Sequence, residues 1–175
     1  MKKYDMINKY KLTLLSTSIF VVATMFFSGC WKSETKDKSS NLVVINVLDK
    51  DYYDDCHITG SINIPFEDVE THMKNMDKKK HYVFYCSNYA CTAAPFSAKM
   101  LKDAEFEHVF VYHGGIVEWY QHKYPYTGPA EKSYLQDSND KLDMDEPLNG
   151  QDHDAIIDIN AEKLLSMMKD AKLLS

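Results

Sequence analysis

Apolar residues in this chain fall into short strand-like runs that alternate with segments of helical periodicity. The strand-like runs, rich in β-branched and aromatic residues, cover residues 42–48, 61–65, 81–85 and 108–112. Apolar positions at helical spacing follow at residues 66–76, 93–103 and 116–122, and residues 49–55 can form a helical turn. Because strands and helices alternate with short connections, the pattern predicts an α/β domain with a central parallel sheet flanked by helices.

Large apolar side chains mark the faces that these helices are expected to bury. They are Phe66, Val69, Met73 and Met76 in the first helix, Phe96, Met100 and Leu101 in the second, and Trp119 in the third. Pro95 limits where the second helix begins, since proline is tolerated only in the first turn.

Residues 1–30 have the pattern of an export signal. Lysines at the start are followed by an uninterrupted apolar and small-residue run. The run ends at Phe27-Ser28-Gly29-Cys30, which resembles the lipobox of bacterial lipoproteins, whose cysteine is lipid-modified and becomes the mature N-terminus. An uncleaved membrane anchor is the alternative, and both interpretations place the remaining chain outside the cytoplasm.

The lipobox resemblance implies a lipid anchor at Cys30 and a domain on the periplasmic side of the bacterial cell envelope. Trp31 is not the aspartate associated with inner-membrane retention, which favours the outer membrane. Residues 31–41 are polar and aperiodic, as expected of a flexible tether. The domain is expected over residues 42–130, followed by an acidic linker at 131–154 and a C-terminal amphipathic helix within 155–175.

The charge pattern excludes some partners and restricts the chemistry. A net charge of -6 without a basic stripe argues against nucleic acid. All 20 basic residues are lysine, so any anion must be held by backbone amides or lysine charges rather than by a planar guanidinium. The histidines lack metal-ligand spacing to cysteines or carboxylates, and we expect neither a metal nor another cofactor.

The strongest candidate for chemistry is Cys86, which follows the strand at 81–85. A short loop then leads directly into a helix, and its residues are Ser87, Asn88, Tyr89, Ala90, Cys91 and Thr92. Loop amides and the first N–H groups of the helix favour a thiolate over a thiol at such a position. The sequence therefore predicts a nucleophilic cysteine at residue 86.

Three motifs in order resemble the rhodanese-like family over roughly residues 42–130. The segment Cys56-His57-Ile58-Thr59-Gly60-Ser61-Ile62-Asn63-Ile64-Pro65 is similar to the family's Gly-His-Ile-Pro-Gly-Ala-Ile-Asn-Ile-Pro, and Gly114-Gly115-Ile116-Val117-Glu118-Trp119 fits its Gly-Gly-x-x-x-Trp signature. Cys86 stands at the position of the catalytic cysteine. The resemblance implies a single rhodanese-like domain, in which Cys86 accepts sulfur from a small sulfur-containing donor as a persulfide and passes it to a thiol acceptor.

Two departures from the family pattern bear on activity. Asn46-Val47-Leu48 stands where the family usually has aspartate and arginine, and Cys91 stands where many members have an arginine. Without arginine, the donor and persulfide would be held by the amides of residues 87–92 and the helix dipole, so weak thiosulfate activity is expected.

Two alternatives to sulfur transfer remain open at this point. Cys86 and Cys91 can form a disulfide or act as attacking and resolving thiols, which would make the protein a thiol–disulfide redox protein. A non-catalytic binding module with an incidental Cys86 is the third interpretation. Cys56 is expected to be neither catalytic nor paired, and His57 to be a structural hydrogen-bonding residue.

The C-terminal segment has its own family resemblance. Family domains often begin with a helix that reads Ile-Ser-x-x-Glu-Leu, and this chain has Ile159-Asn160-Ala161-Glu162-Lys163-Leu164 near its end instead. Asn160 is a suitable N-cap, and Leu164, Leu165, Met168 and Leu173 form an apolar face. This helix is expected to pack on the domain, where it would supply the missing element, or else to begin a second domain.

Overall fold

The computed structural model describes residues 41–137 and 156–174. The predicted export signal with Cys30, the tether up to residue 40, residues 138–154 of the linker, and residues 155 and 175 of the C-terminal segment lie outside these residues. Within the two described segments, no helix has the length and hydropathy required to cross a bilayer.

Strands and helices alternate as the apolar pattern predicts. In chain order they are β1 Leu42–Asn46, α1 Lys50–Asp55, β2 His57–Ile58, β3 Ile62–Asn63, α2 Val69–Met73, β4 His81–Tyr85, α3 Ala93–Asp103, β5 His108–Tyr112, α4 Gly115–Gln121, β6 Tyr126–Thr127, β7 Ile157–Asp158 and α5 Ala161–Asp170. Short 3-10 helices cover Phe66–Asp68 and Ser133–Gln136.

The central sheet has five strands in the order β3-β1-β4-β5-β7. Every pair is parallel, which confirms the predicted α/β class with helices flanking a parallel sheet. The pairing of β1, β4 and β5 places Asn46, Tyr85 and Tyr112 side by side at the carboxyl ends of the strands. This edge is where an open parallel sheet carries its functional groups.

Both faces of the sheet are covered, which explains the continuous apolar runs in the strands. Val83 and Tyr85 of β4 pack in one cluster with residues of α4 and α5. Tyr82 and Phe84, on the opposite face, pack in a second cluster with residues of α2 and α3. The side chain of Cys86 belongs to this second cluster.

Two aromatic residues expected in the core are exposed instead. Phe96 is 47% exposed because α3 buries Ala94, Ser97, Ala98 and Leu101, a stripe of mostly small residues at helical spacing. Phe66 is 42% exposed because the helix predicted at 66–76 begins as a 3-10 turn, and α2 starts only at Val69.

A second, two-stranded antiparallel sheet forms separately from the main sheet. Strands β2 and β6 pair there, and the Trp119 indole N–H donates to the Pro125 carbonyl at 2.8 Å, so Trp119 is the expected anchor. The buried Asp55 carboxylate then accepts the amides of Glu131 and Lys132 at 2.9 and 3.2 Å. Because Leu135 is also buried, packed structure extends past residue 130, where the acidic linker was expected to start.

The C-terminal segment docks on the domain, as its apolar face predicts. Strand β7 pairs with β5 at the edge of the sheet, and the helix N-cap is Asn160, whose Oδ1 accepts the Lys163 amide at 2.9 Å. Leu164 and Met168 are fully buried in the cluster on the α4 face. The segment therefore completes the sheet and core of this domain.

Replacing Leu164 by alanine tests the contribution of this docking. We expect Leu164→Ala to lower the free energy of unfolding by about 2–5 kcal/mol, because it leaves a cavity in the core. Ser166→Ala, on the exposed face of the same helix, is the control and should change stability by less than about 0.5 kcal/mol. Urea unfolding of the full chain measures both, and equal midpoints would contradict docking.

Two histidines face each other at the opposite end of the sheet. His81 of β4 and His108 of β5 share a register position, and their rings stack with centroids 4.3 Å apart. The Asn41 side-chain amide donates to His81 Nδ1 at 3.1 Å, which requires that nitrogen to be unprotonated. Burial, and then repulsion from His108, lower the pKa of His81.

This arrangement predicts that stability falls as the pH drops below about 6.5, the ordinary histidine value. The unfolded chain then binds a proton that folded His81 binds less readily, so the stability present at higher pH is lost. His81→Phe keeps a ring in the stack and should flatten the dependence of the urea midpoint between about pH 8 and about pH 5. The exposed His72→Gln should retain the wild-type profile. A wild-type profile in His81→Phe would refute the assignment.

Candidate active site

Cys86 lies where the sequence predicts, directly after β4 and before the helix that starts at Ala93. Its side chain is buried, with 2% exposure. The Ser87 hydroxyl lies 3.9 Å from the Cys86 sulfur. Tyr85, which precedes Cys86, is fixed because its buried hydroxyl accepts the Ile58 amide at 3.0 Å. This hydrogen bond connects the end of β4, just before the cysteine, to the family-like segment at residues 56–65.

Cys86 and Cys91 form a disulfide across the loop, with their Cα atoms 6.2 Å apart. This separation lies in the range of ordinary disulfides. Cys91 is half-buried, so it is the more exposed residue of the two. Cys56 is a free, fully buried thiol, and burial followed by the charge of Asp55 raises its pKa to about 12.

Asn88 shapes the loop between the two cysteines. Its carbonyl accepts the Cys91 amide and its side-chain oxygen accepts the Ala90 amide, both at 3.1 Å. Two of the amides expected to hold an anion are therefore already used within the loop. The amides of Ser87, Asn88, Tyr89 and Thr92 make no hydrogen bond to another described residue.

The Gly-Gly turn holds the loop from the other side. The carbonyls of Cys86 and Ser87 accept the amides of Ile116 and Val117 of α4 at 3.0 and 2.9 Å. Gly115 has φ +61°, and a Cβ there would collide with both carbonyls. Glycine is required at this position both for its backbone conformation and for the close approach of the loop.

A carboxylate beside the loop was not expected as part of the site. The Tyr89 hydroxyl donates to Glu118 Oε1 at 3.2 Å. The other Glu118 oxygen and the Tyr112 hydroxyl are buried without a partner in the part of the chain that the structure describes. Burial, and then Glu118, raise the pKa of Tyr89 to about 12. Glu118 lies within the Gly-Gly-x-x-x-Trp motif, but only the fold brings it close to Tyr89.

The C-terminal segment also reaches this edge of the sheet. The His113 ring Nε2 lies 3.0 Å from the Asp158 carboxylate of β7. This pair borders an open surface pocket of about 540 Å³, which is formed by Tyr89, His113, Ile157, Asp158, Ile159, Asn160 and Lys163. Tyr89 therefore links the cysteine loop to a space that the C-terminal segment helps to form.

Sequence comparison identifies relatives of this chain. The profile of the Rhodanese-like domain matches residues 32–122, more than half of the 175 residues. Thiosulfate sulfurtransferase GlpE of Coxiella burnetii is 26% identical over 85 residues, which cover 49% of this chain and 78% of that relative.

Solved structures with related folds include a protein of Bacillus halodurans, with 23% identity and a TM-score of 0.47, covering 73% of this chain and 87% of that one. A rhodanese-like domain of an Anabaena protein is 27% identical with a TM-score of 0.44, covering 50% of this chain and 92% of that one. Since the profile match extends through β1, the cysteine loop and α4, the chain belongs to the rhodanese-like domain family.

Proposed function

We propose that this protein is a sulfurtransferase that carries sulfane sulfur on Cys86. The observation that supports it most is the position of Cys86 at a strand end, in a loop held between the start of α3 and the Gly-Gly turn. Membership of the rhodanese-like family and the thiosulfate sulfurtransferases among its relatives favour the same chemistry.

In the proposed first step, the Cys86 thiolate attacks the outer sulfur of a donor such as thiosulfate. The donor's S–S bond breaks, sulfite leaves with the electron pair, and the sulfur stays on Cys86 as a persulfide anion. The groups available to stabilise these anions are the first turn of α3 and four loop amides that have no partner among the described residues, those of Ser87, Asn88, Tyr89 and Thr92. A thiol acceptor then attacks the outer sulfur and regenerates the thiolate.

The surroundings of the loop favour a donor with little negative charge. No arginine is present in the chain to bind a dianion, and Glu118 lies against Tyr89 of the loop. A doubly charged donor is repelled by this carboxylate more strongly than a singly charged one. Small organic persulfides are therefore the preferred donors in this proposal, and thiosulfate is a weak one.

Donor cleavage tests the role of Cys86. The reduced full chain, purified in detergent, should release sulfite from thiosulfate, and rapid alkylation should capture a sulfur adduct on Cys86. Cys86→Ser should lower the rate at least roughly a thousandfold, because the nucleophile is lost. Cys56→Ser removes a buried thiol that packs in the cluster on the other face of the sheet from Cys86, and it should keep the wild-type rate. A reduced chain that releases no sulfite from thiosulfate and takes up no sulfur from an organic persulfide, either as an adduct or as released sulfide, would refute sulfur transfer.

The Cys86–Cys91 disulfide favours a second candidate function. A thiol–disulfide redox protein would cycle the pair between dithiol and disulfide without ever carrying an extra sulfur atom. It would be reduced by a protein dithiol in the absence of any sulfur donor and would give no sulfite. The alkylation experiment separates the two functions.

We also propose that Cys30 carries a lipid anchor that tethers the domain on the periplasmic side of the envelope. The lipobox-like ending of the apolar run supports this location.

The test is growth of an expressing bacterium with labelled palmitate. Label should enter the wild-type chain and be absent from Cys30→Ser, while Cys56→Ser should retain it. An unlabelled wild-type chain that still sediments with membranes would instead favour the uncleaved anchor.

A further inference from the structure

The disulfide places a second thiol within bonding distance of the sulfur that is proposed to hold the persulfide. Cys86 and Cys91 are already bonded, and the loop between them keeps its own hydrogen bonds to Asn88. The carbonyls of Cys86 and Ser87 also remain bonded to α4. The hydrogen bonds within the loop and those to α4 therefore fix a backbone conformation in which Cys91 can attack Cys86.

From this geometry we infer that Cys91 resolves the Cys86 persulfide and releases hydrosulfide, so that the protein reduces sulfane sulfur to sulfide. This inference rests on the proposed sulfur transfer to Cys86. The Cys91 sulfur bonds to the inner sulfur of the persulfide, and the bond between the inner and outer sulfurs breaks. The outer sulfur leaves with the electron pair and takes the Cys91 proton, becoming HS⁻. The sulfane sulfur is reduced, and the two cysteines are oxidised to the disulfide.

Return to the starting state requires an external dithiol reductant, and the exposures indicate where it attacks. Cys86 is 2% exposed, whereas Cys91 is half-buried. An incoming thiolate therefore reaches the Cys91 sulfur first, forms a mixed disulfide with it and expels Cys86 as a thiolate. The second thiol of the reductant then frees Cys91. This order returns Cys86 in the nucleophilic form that the next donor molecule needs.

Cys91 also competes with external acceptors because it is held in the same loop. An intramolecular thiol at this separation has an effective concentration far above that of a dilute external thiol. The persulfide should consequently be short-lived in the wild-type chain. Removing Cys91 should convert the protein from a source of sulfide into a carrier that retains its sulfur.

A single-turnover experiment tests the inference. The full chain is reduced with a dithiol, freed of reductant under anaerobic conditions, and mixed with thiosulfate or an organic persulfide. Sulfide is quantified in both reactions, and sulfite is quantified in the thiosulfate reaction. After acid quenching, mass spectrometry measures the mass of the peptide that contains both cysteines. The wild type should release one sulfide for each sulfur accepted and end as the disulfide. Cys56→Ser should behave like the wild type.

Cys91→Ser and Cys91→Ala should accumulate peptide heavier by one sulfur atom and release at least roughly tenfold less sulfide. Added cyanide should then recover that sulfur as thiocyanate, which also shows that these variants are folded. A stable persulfide in the wild type, or equal sulfide release from the Cys91 variants, would overturn the inference while leaving sulfur transfer intact. Absence of sulfur uptake in every variant and with both donors would overturn the proposed function as well.

Discussion

The in-register pairing of β1, β4 and β5 is the constraint on which the site depends. It aligns Asn46, Tyr85 and Tyr112 at one edge of the sheet, so the residue after Tyr85 must emerge where α3 and α4 begin. The carbonyls of Cys86 and Ser87 then meet the first amides of α4, a contact that only glycine at position 115 permits. Backbone groups, rather than charged side chains, therefore fix the position of Cys86, whose sulfur is proposed to react.

The described groups around the loop are compatible with the proposed sulfur chemistry and provide no side chain suited to tight anion binding. Backbone amides are the favourable groups near Cys86, while Glu118 contributes opposing negative charge through its contact with Tyr89. Amide dipoles at a helix start stabilise a thiolate or persulfide without selecting a particular donor. What distinguishes this loop from an arginine-containing one is the second thiol at position 91, which gives the sulfur a partner inside the protein.

Local sequence patterns were sufficient to predict the main strands and the position of the Cys86 loop. Continuous apolar runs identified β1, β4 and β5 because both faces of these strands are buried, and the strand-to-helix transition located the Cys86 loop. The prediction that Phe96 is buried was wrong because it followed the size of the side chain. The helix instead packs through a stripe of mostly small residues at helical spacing, which begins at Ala94. The pairs Tyr89–Glu118 and His113–Asp158 join distant segments, and nothing local to either partner indicates them.

The position of β7 has a consequence for how the domain assembles during synthesis. Residues 157–158 pair with the edge of β5, yet they follow all four other strands of the sheet in the chain. Whether the chain emerges from a ribosome or from a translocation channel, β5 therefore appears with one row of backbone donors and acceptors open until β7 follows. Open edges of this kind invite pairing with other chains. A chain that stalls before β7 is accordingly the form most exposed to aggregation.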